Sequence, residues 1–121
     1  MTNTEYQEFV KELAMYRDTV SELNSHDFVR IKKMLNISYA AMELADEAGE
    51  VLGKAKRIIR GDYEMDVLRE QIIPELGDVL FPLTCLCEEF GVTLDDVRDM
   101  NVEKLSKRKE NNTIKGQGDD R

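Results

Sequence analysis

The sequence predicts an all-α fold, and two observations support this class. Apolar residues recur three and four positions apart over most of the chain, which is the spacing of a helix face. Only two prolines and seven glycines interrupt the 121 residues, and no alternating apolar pattern of useful length indicates a strand. We therefore expect one four-helix bundle-like domain over residues 1–121, with a core at about 28–110 and an extended tail at 111–121.

The first helix is expected to begin near Thr4, because Gln7 three residues later can complete a capping box. The polar segment Asn24–Asp27 predicts the end of this helix. Between these limits the apolar residues at helical spacing are Tyr6, Phe9, Val10, Leu13, Tyr16, Val20 and Leu23.

A second, long helix is predicted from about Phe28 or Leu35 to Arg60, with Gly61 as the residue that ends it. One face of this helix is apolar and is expected to pack in the core. That face consists of Ala41, Leu44, Ala48, Val51, Leu52, Ala55, Ile58 and Ile59.

A third helical region is predicted from about Glu64 to Phe90, and Gly91 ends it. Pro74 lies inside this region. Because proline lacks an N–H and clashes with the preceding turn, we expect Pro74 to interrupt the helix or to start a new one.

The fourth helix is predicted from Leu94 to about Lys109, since Thr93 followed by Asp96 is the pattern of a capping box. The segment Asn111–Arg121 contains two of the glycines and shows no helical periodicity. It predicts an extended tail.

The charge composition limits the partners of the protein. Acidic residues number 25 against 17 basic ones, so the formal net charge is −8. This charge would repel a nucleic-acid backbone unless the basic residues were gathered on one face, and we expect no nucleic-acid partner. A free nucleotide is different, because divalent cations bind both phosphates and carboxylates and can bridge the two.

The N-terminal residues are polar and acidic, and no apolar stretch approaches the length of a membrane helix. We therefore expect a cytoplasmic protein without a membrane partner. Cys85 and Cys87 lie two positions apart on a predicted helix, so their side chains point to different faces and are expected to be reduced thiols. His26 is the only histidine, which disfavours serine or cysteine triads and His-ligated metals.

A first group of acids lies on the second predicted helix. Glu47 and Glu50 are three positions apart on one face, and Glu43 and Asp46 add like charges four positions before them. Such pairs destabilise a helix by a few tenths of a kcal/mol each. At this acidic content about five acid-x-x-acid pairs are expected by chance, so the context of the pair decides its meaning. Within this group, the only favourable pair is Glu50 with Lys54. A cluster of negative charges of this kind is what a cation site requires.

A second group of acids lies on the third predicted helix, between apolar residues. Glu75 and Asp78 share a face, and no Lys or Arg lies three or four positions from either. Acids in an apolar helix need a partner elsewhere. A divalent ion between the two helices would neutralise both groups, and ligands that are oxygen only favour Mg²⁺, or Mn²⁺, over Zn²⁺.

These residues, taken in order along the chain, resemble a known family. Glu47-x-x-Glu50 followed on the next helix by Glu75-x-x-Asp78 is similar to the signature of the MazG-type all-α nucleoside triphosphate pyrophosphohydrolases. The resemblance covers about residues 35–121. The segments that carry it are Leu44–Val51, Glu75–Leu80, Asn101-x-x-Lys104-Leu105-x-x-Arg108 and the tail Thr113–Arg121.

The resemblance implies hydrolysis of nucleoside triphosphates between the α and β phosphates, with a nucleoside monophosphate and pyrophosphate as products. It implies a homodimer or homotetramer whose active sites draw on neighbouring subunits. Carried over residue by residue, it makes four acids the ligands of Mg²⁺ and a face of the last helix the contact of the triphosphate. The ligands are Glu47, Glu50, Glu75 and Asp78, and the triphosphate contacts are Asn101, Lys104 and Arg108.

The chemistry of the residues agrees with this reading. Either Glu47 or Glu50 can accept the proton of the attacking water. Lys54, which we also expect to contact substrate, begins a second basic edge beyond the acids. Arg57 and Arg60 continue this edge, and the alternative for the edge is a solvated face. Pro82 departs from the family pattern of two aromatic residues after Asp-Val-Leu, and it cannot donate to the carbonyl of Asp78.

Two other classes of protein fit parts of the pattern. A di-iron carboxylate oxidase is disfavoured because it would use Glu-x-x-His pairs, and His26 lies in a predicted loop. A non-catalytic helical dimerisation or adaptor module would use the acids only as a solvated surface. For the base of a nucleotide, the candidate contacts are Tyr39, Phe81 and Phe90.

Overall fold

The computed structural model describes residues 2–14 and 16–118, and the regular structure in these ranges is helical throughout. The all-α prediction is confirmed, with five α-helices where four were predicted. The chain divides into two compact units, Met1–Leu35 and Asn36–Arg121. The helices are α1 (Asn3–Leu13), α2 (Tyr16–Ser21), α3 (Phe28–Arg60), α4 (Met65–Phe90) and α5 (Leu94–Glu110), and a 3₁₀ turn at Ser25–Asp27 precedes α3.

The first unit corrects two predictions. The capping box of α1 involves Thr2 and Glu5, not Thr4 and Gln7: the Thr2 hydroxyl accepts from the Glu5 N–H at 3.2 Å, and the Glu5 carboxylate accepts from the Thr2 N–H. The predicted single first helix is two helices, because Ala14 leaves helical geometry with ψ 62°. No proline or glycine marks this break, so apolar spacing alone did not reveal it.

Both glycines that were predicted to end the long helices do so. Gly61 has φ +85° and Gly91 has φ +66°, in the left-handed region that favours glycine. After α3 the Asp62 N–H donates to the Arg57 carbonyl at 2.9 Å, and after α4 the Val92 N–H donates to the Cys87 carbonyl at 3.0 Å. These are Schellman bonds: the first ends α3 before the turn to α4, and the second ends α4 before the turn to α5.

The expectation that Pro74 breaks the third helical region is wrong. A single helix, α4, runs from Met65 to Phe90 and contains both Pro74 and Pro82. Each proline removes one backbone hydrogen bond, but the other bonds of this long helix and its packing keep it continuous. Pro82 is fully buried, so the packing that holds α4 includes the proline ring itself.

Helices α3 and α4 run antiparallel within the second unit. Lys54 of α3 pairs with Glu75 of α4, whereas Tyr39, earlier on α3, lines a cavity with Cys85, later on α4. The buried side chains on these two helices are Ala40, Pro82 and Cys87. Cys85 and Cys87 are free thiols, as predicted.

The predicted capping box of α5 is confirmed, since the Thr93 hydroxyl accepts from the Asp96 N–H at 3.1 Å and the Asp96 carboxylate accepts from the Thr93 N–H at 2.8 Å. The chain from 111 to 118 contains turns and bends without helix or strand, and residues 119–121 lie outside the described residues. Within the described ranges, no helix has both the length and the apolar character needed to cross a bilayer.

Candidate metal centre

Three carboxylates meet where α3 and α4 face each other. Glu47 of α3 and Glu75 and Asp78 of α4 each offer one oxygen, and these oxygens lie within 4.8 Å of one another. Glu47 and Glu75 are half-buried, and Asp78 is exposed. The spacing of three residues puts Glu75 and Asp78 on the same face of α4, and the antiparallel register brings that face to Glu47.

Glu50 lies three residues after Glu47 on α3, with an exposed side chain, and is outside this group of three carboxylates. The structure therefore brings three of the four predicted ligands together. The role of Glu50 stays a prediction.

The three converging acids repel one another, and this repulsion contributes to a raised pKa of Glu47. The pKa of Glu47 is raised above its ordinary value, first because partial burial disfavours the charged form and then because Asp78, Asp46, Glu75 and Glu50 repel its charge. A divalent cation among these oxygens would relieve the repulsion. The oxygen-only donor set fits Mg²⁺ or Mn²⁺, because both are hard cations that prefer carboxylates.

Lys54 has a different partner from the one that its sequence position suggested. Its ammonium lies 3.3 Å from a carboxylate oxygen of Glu75, across the helix interface, although Glu50 is the favourable partner on its own helix. Glu75 thereby has the partner outside α4 that the sequence required. Further along α3, the Arg57 guanidinium donates to the Tyr63 hydroxyl at 3.1 Å, and Arg60 pairs with Asp62.

A cavity of about 520 Å³ lies between α3 and α4, next to the acids. Two of its lining residues lie about one helical turn from the acids along the chain. Glu43 is four residues before Glu47 on α3, and Phe81 is three residues after Asp78 on α4. The Tyr39 hydroxyl bonds to Glu43, and this bond together with the charge of Glu43 raises the pKa of Tyr39. The lining residues are Asn36, Tyr39, Ala40, Glu43, Phe81, Cys85 and Glu89.

Tyr39 and Phe81 were predicted to contact a base, and both line this cavity, whereas Phe90 is not among its lining residues. The sequence did not predict that Asn36, Cys85 or Glu89 would line a site, and it indicated Cys85 only as a reduced thiol. Helical spacing from the acids could have indicated Asn36 and Glu89. Asn36 lies eleven residues before Glu47, and Glu89 lies eleven residues after Asp78, which is about three turns in each helix.

The predicted triphosphate contacts on α5 divide into two environments. Asn101 and Lys104 are exposed and line a separate cavity of about 550 Å³ with Val97 and Met100. Arg108 is buried, with 7% of its surface exposed, and its guanidinium donates to the Gly118 carbonyl at 3.2 Å. Their contact with a triphosphate stays a prediction, and Arg108 has a structural partner in the tail.

Comparison with known proteins identifies the family of this chain. Residues 36–113 match the family model of the MazG nucleotide pyrophosphohydrolase domain. The chain belongs to the MazG family. The matched residues begin with the second compact unit and include the three converging acids of α3 and α4.

The chain is also similar to a curated protein of a phage. The Gene 37 protein of Mycobacterium phage L5 is 37% identical over 87 residues, which cover 70% of this chain and 76% of that protein. No solved structure matches the chain. The resemblance predicted from the sequence is therefore confirmed at the level of the MazG family.

Proposed function

We propose that this MazG-family protein hydrolyses nucleoside triphosphates to a nucleoside monophosphate and pyrophosphate, with Mg²⁺ bound at the acids of α3 and α4. The observation that carries the proposal is the convergence of Glu47, Glu75 and Asp78 within 4.8 Å, in a chain of this family. A bound Mg²⁺ would neutralise phosphate charge and lower the pKa of the attacking water.

The protein's own residues supply the remaining functions. Glu47, Glu75 and Asp78 hold the cation, and Glu50, which stands outside their group, accepts the proton of the water that attacks the α phosphorus. The bond to the β phosphate breaks, and pyrophosphate leaves with the bonding electrons. Lys54, Asn101, Lys104 and Arg108 are proposed to contact the phosphates.

The cavity beside the acids is proposed to hold the nucleoside. It begins about one helical turn from Glu47 and Asp78, and it offers the exposed rings of Tyr39 and Phe81 for stacking. The polar groups of Asn36 and Glu43 can bond to base edges.

We also propose that the protein acts as a homodimer or homotetramer. Leu52 and Ile59 lie seven residues apart on one face of α3 and are 70% and 91% exposed, although the sequence places both on the apolar stripe. Their neighbours Val51 and Ile58 are half-buried, so the stripe is wider than one copy of the chain covers. A second copy is the proposed cover for this surface.

The test is a panel of ribo- and deoxyribonucleoside triphosphates incubated with Mg²⁺, with products resolved as pyrophosphate or orthophosphate. Pyrophosphate with the matching monophosphate is expected, and orthophosphate as the primary product would contradict cleavage of the proposed bond.

The variants Glu50→Gln and Glu47→Gln separate the role of proton acceptor from that of cation ligand. Loss of kcat with unchanged Mn²⁺ affinity is expected for Glu50→Gln, and loss of Mn²⁺ affinity for Glu47→Gln. Hydrolysis of no nucleotide, together with no response to Mg²⁺, would favour the adaptor alternative.

A further inference from the structure

Lys54 places a positive charge directly on the acidic cluster. Its ammonium is 3.3 Å from Glu75, and only 21% of the Lys54 side chain and 17% of the Glu75 side chain are exposed. Glu75 is also one of the three converging carboxylates. The Glu75 carboxylate therefore belongs both to an ion pair and to the candidate metal centre.

This ion pair differs from the surface pairs of the protein. The side chains of Lys107 and Glu103 are 68% and 67% exposed, and solvent screens such a pair strongly. Solvent screens the Lys54–Glu75 pair less, and Glu75 lies close to two further acids, Glu47 and Asp78, that repel it. Lys54 thus offsets part of the negative charge of the cluster in the metal-free protein.

A divalent cation bound by Glu75 would meet this ammonium at close range. Two positive charges a few ångströms apart repel each other, and both would draw on the same carboxylate. Lys54 has a flexible four-carbon stem, so its ammonium can leave Glu75 without a change in the backbone.

We propose that Lys54 is the internal counter-ion of the metal centre: it holds Glu75 when no metal is bound and releases it when a divalent cation binds. The proposal rests on the proposed function, since it assumes that the cluster is the metal site. Lys54 is then a positioning residue for Glu75, and its ammonium turns to the triphosphate only after release. Cation binding precedes the recruitment of Lys54 to substrate.

The experiment measures Mn²⁺ alone, without nucleotide, by calorimetric or paramagnetic titration of the full chain. Lys54→Met removes the charge and keeps the apolar stem, and Lys54→Arg keeps the charge. Lys56→Met is the matched control, because Lys56 is an exposed lysine two residues along the same helix. Melting of each variant in excess chelator reports the metal-free state.

Two results are expected together. Lys54→Met binds Mn²⁺ at least about fivefold more tightly than wild type and melts at a lower temperature in chelator, because the cluster has lost its counter-ion. Lys54→Arg stays close to wild type in both measurements, and Lys56→Met changes the affinity by less than about twofold, as a distant exposed charge does.

The proposal is overturned if Lys54→Met and Lys56→Met have the same Mn²⁺ affinity, or if Lys54→Met binds Mn²⁺ more weakly. Hydrolysis assays of the wild type separate this failure from that of the proposed function. A wild-type protein that releases pyrophosphate while the two methionine variants bind Mn²⁺ equally overturns only the role of Lys54. Absence of Mn²⁺ binding in every variant overturns both proposals.

Discussion

The guanidinium of Arg108 donates a hydrogen bond to the carbonyl of Gly118, ten residues further along the chain. The Thr113 N–H donates in turn to the Arg108 carbonyl at 2.8 Å, so the start of the tail and its described end are both bonded to one residue of α5. Arg108 is thereby a structural anchor of the tail, whatever contact it makes with substrate.

Arg108→Met should consequently destabilise the protein in the absence of nucleotide. Loss of a buried hydrogen bond from a charged donor costs about 1.5–3 kcal/mol, and the tail from 111 to 118 should become more sensitive to protease. Thermal melting and limited proteolysis measure the two effects. Lys109→Met, at the exposed neighbouring position, is the control, and equal melting of the two variants would remove the anchoring role of Arg108.

For the proposed metal centre, Asp78→Asn is the most informative carboxylate variant. Asp78 belongs to the acidic group, whereas Glu75 also pairs with Lys54, so replacing Glu75 would disturb two interactions at once. Asp78→Asn should melt in chelator at the wild-type temperature or slightly above it, because repulsion is relieved. Turnover should fall by orders of magnitude, since each 1.36 kcal/mol of lost transition-state stabilisation is about tenfold in rate.

The same variant should lose most of the thermal stabilisation that Mg²⁺ gives the wild type, because this stabilisation follows the affinity for the metal. Glu70→Gln, an exposed acid elsewhere on α4, is the control and should keep both turnover and the Mg²⁺ response. Wild-type turnover and an unchanged Mg²⁺ response in Asp78→Asn would remove this acid from the site.

The cavity next to the acids predicts a role for Phe81 in nucleotide affinity. Stacking of a base on an aromatic ring contributes about 1–3 kcal/mol, so Phe81→Ala should raise KM at least about fivefold. Inorganic tripolyphosphate, which has no base, should inhibit the variant and the wild type equally. An equal loss of affinity for the nucleotide and for tripolyphosphate would place the effect at the phosphates instead.

The capping box of α5 predicts a pH dependence of stability. The pKa of Asp96 lies below its ordinary value of 3.8, because the Thr93 hydroxyl and the Thr93 N–H donate hydrogen bonds to the charged carboxylate. A lowered folded-state pKa stabilises the protein above the unfolded-state value, and the contribution is lost as the pH falls through the folded-state pKa. Asp96→Asn should consequently flatten the decline of stability below about pH 4.

Denaturant unfolding at several pH values measures this difference, and Asp95→Asn is the control within the same first turn, where Asp95 pairs with Arg98 in solvent. Thr93→Ala should lower the free energy of unfolding by about 1 kcal/mol at neutral pH, because it removes the hydroxyl that caps the helix. An identical pH profile for Asp96→Asn and Asp95→Asn would contradict the special role of Asp96.

The exposed apolar face of α3 predicts an oligomer. Light scattering at micromolar concentration should give a mass of two or four times the 14.0 kDa chain. Ile59→Glu should shift the mass towards that of the monomer, because it buries a charge in the proposed contact. Lys56→Glu, at an exposed polar position one turn away, tests whether added negative charge alone has this effect. A monomeric wild type would contradict the prediction.

The three converging acids could be predicted from the sequence because the arrangement of acids within each helix is local. Spacing by three residues puts Glu75 and Asp78 on one face, and the glycine at 61 predicts the reversal that brings α4 back to α3. The partner of Lys54 could not be read in the same way. It depends on the register between the two helices, and the local rule favours Glu50.

The helix boundaries show the same distinction. The start of α5 and the ends of α3 and α4 are each determined by residues at the boundary itself. These residues are the capping pair Thr93 and Asp96 and the glycines at 61 and 91, and all three predicted boundaries are confirmed. Ala14 is not a residue type that marks a helix end, so the break between α1 and α2 was missed. Pro74 predicted a helix break, but the packing of α4 keeps the helix continuous.

The two prolines of α4 also bear on how the protein folds. Each makes an isolated helix less favourable by about 3 kcal/mol relative to alanine, so α4 has little tendency to form before it packs. The burial of Pro82 ties its formation to the docking of neighbouring residues. The acids at 75 and 78 are therefore held in place only once this docking has occurred. Because the denatured chain holds no such arrangement, a cation bound at the proposed site would act on the native state alone, and added Mg²⁺ should then slow unfolding without trapping partly folded chains.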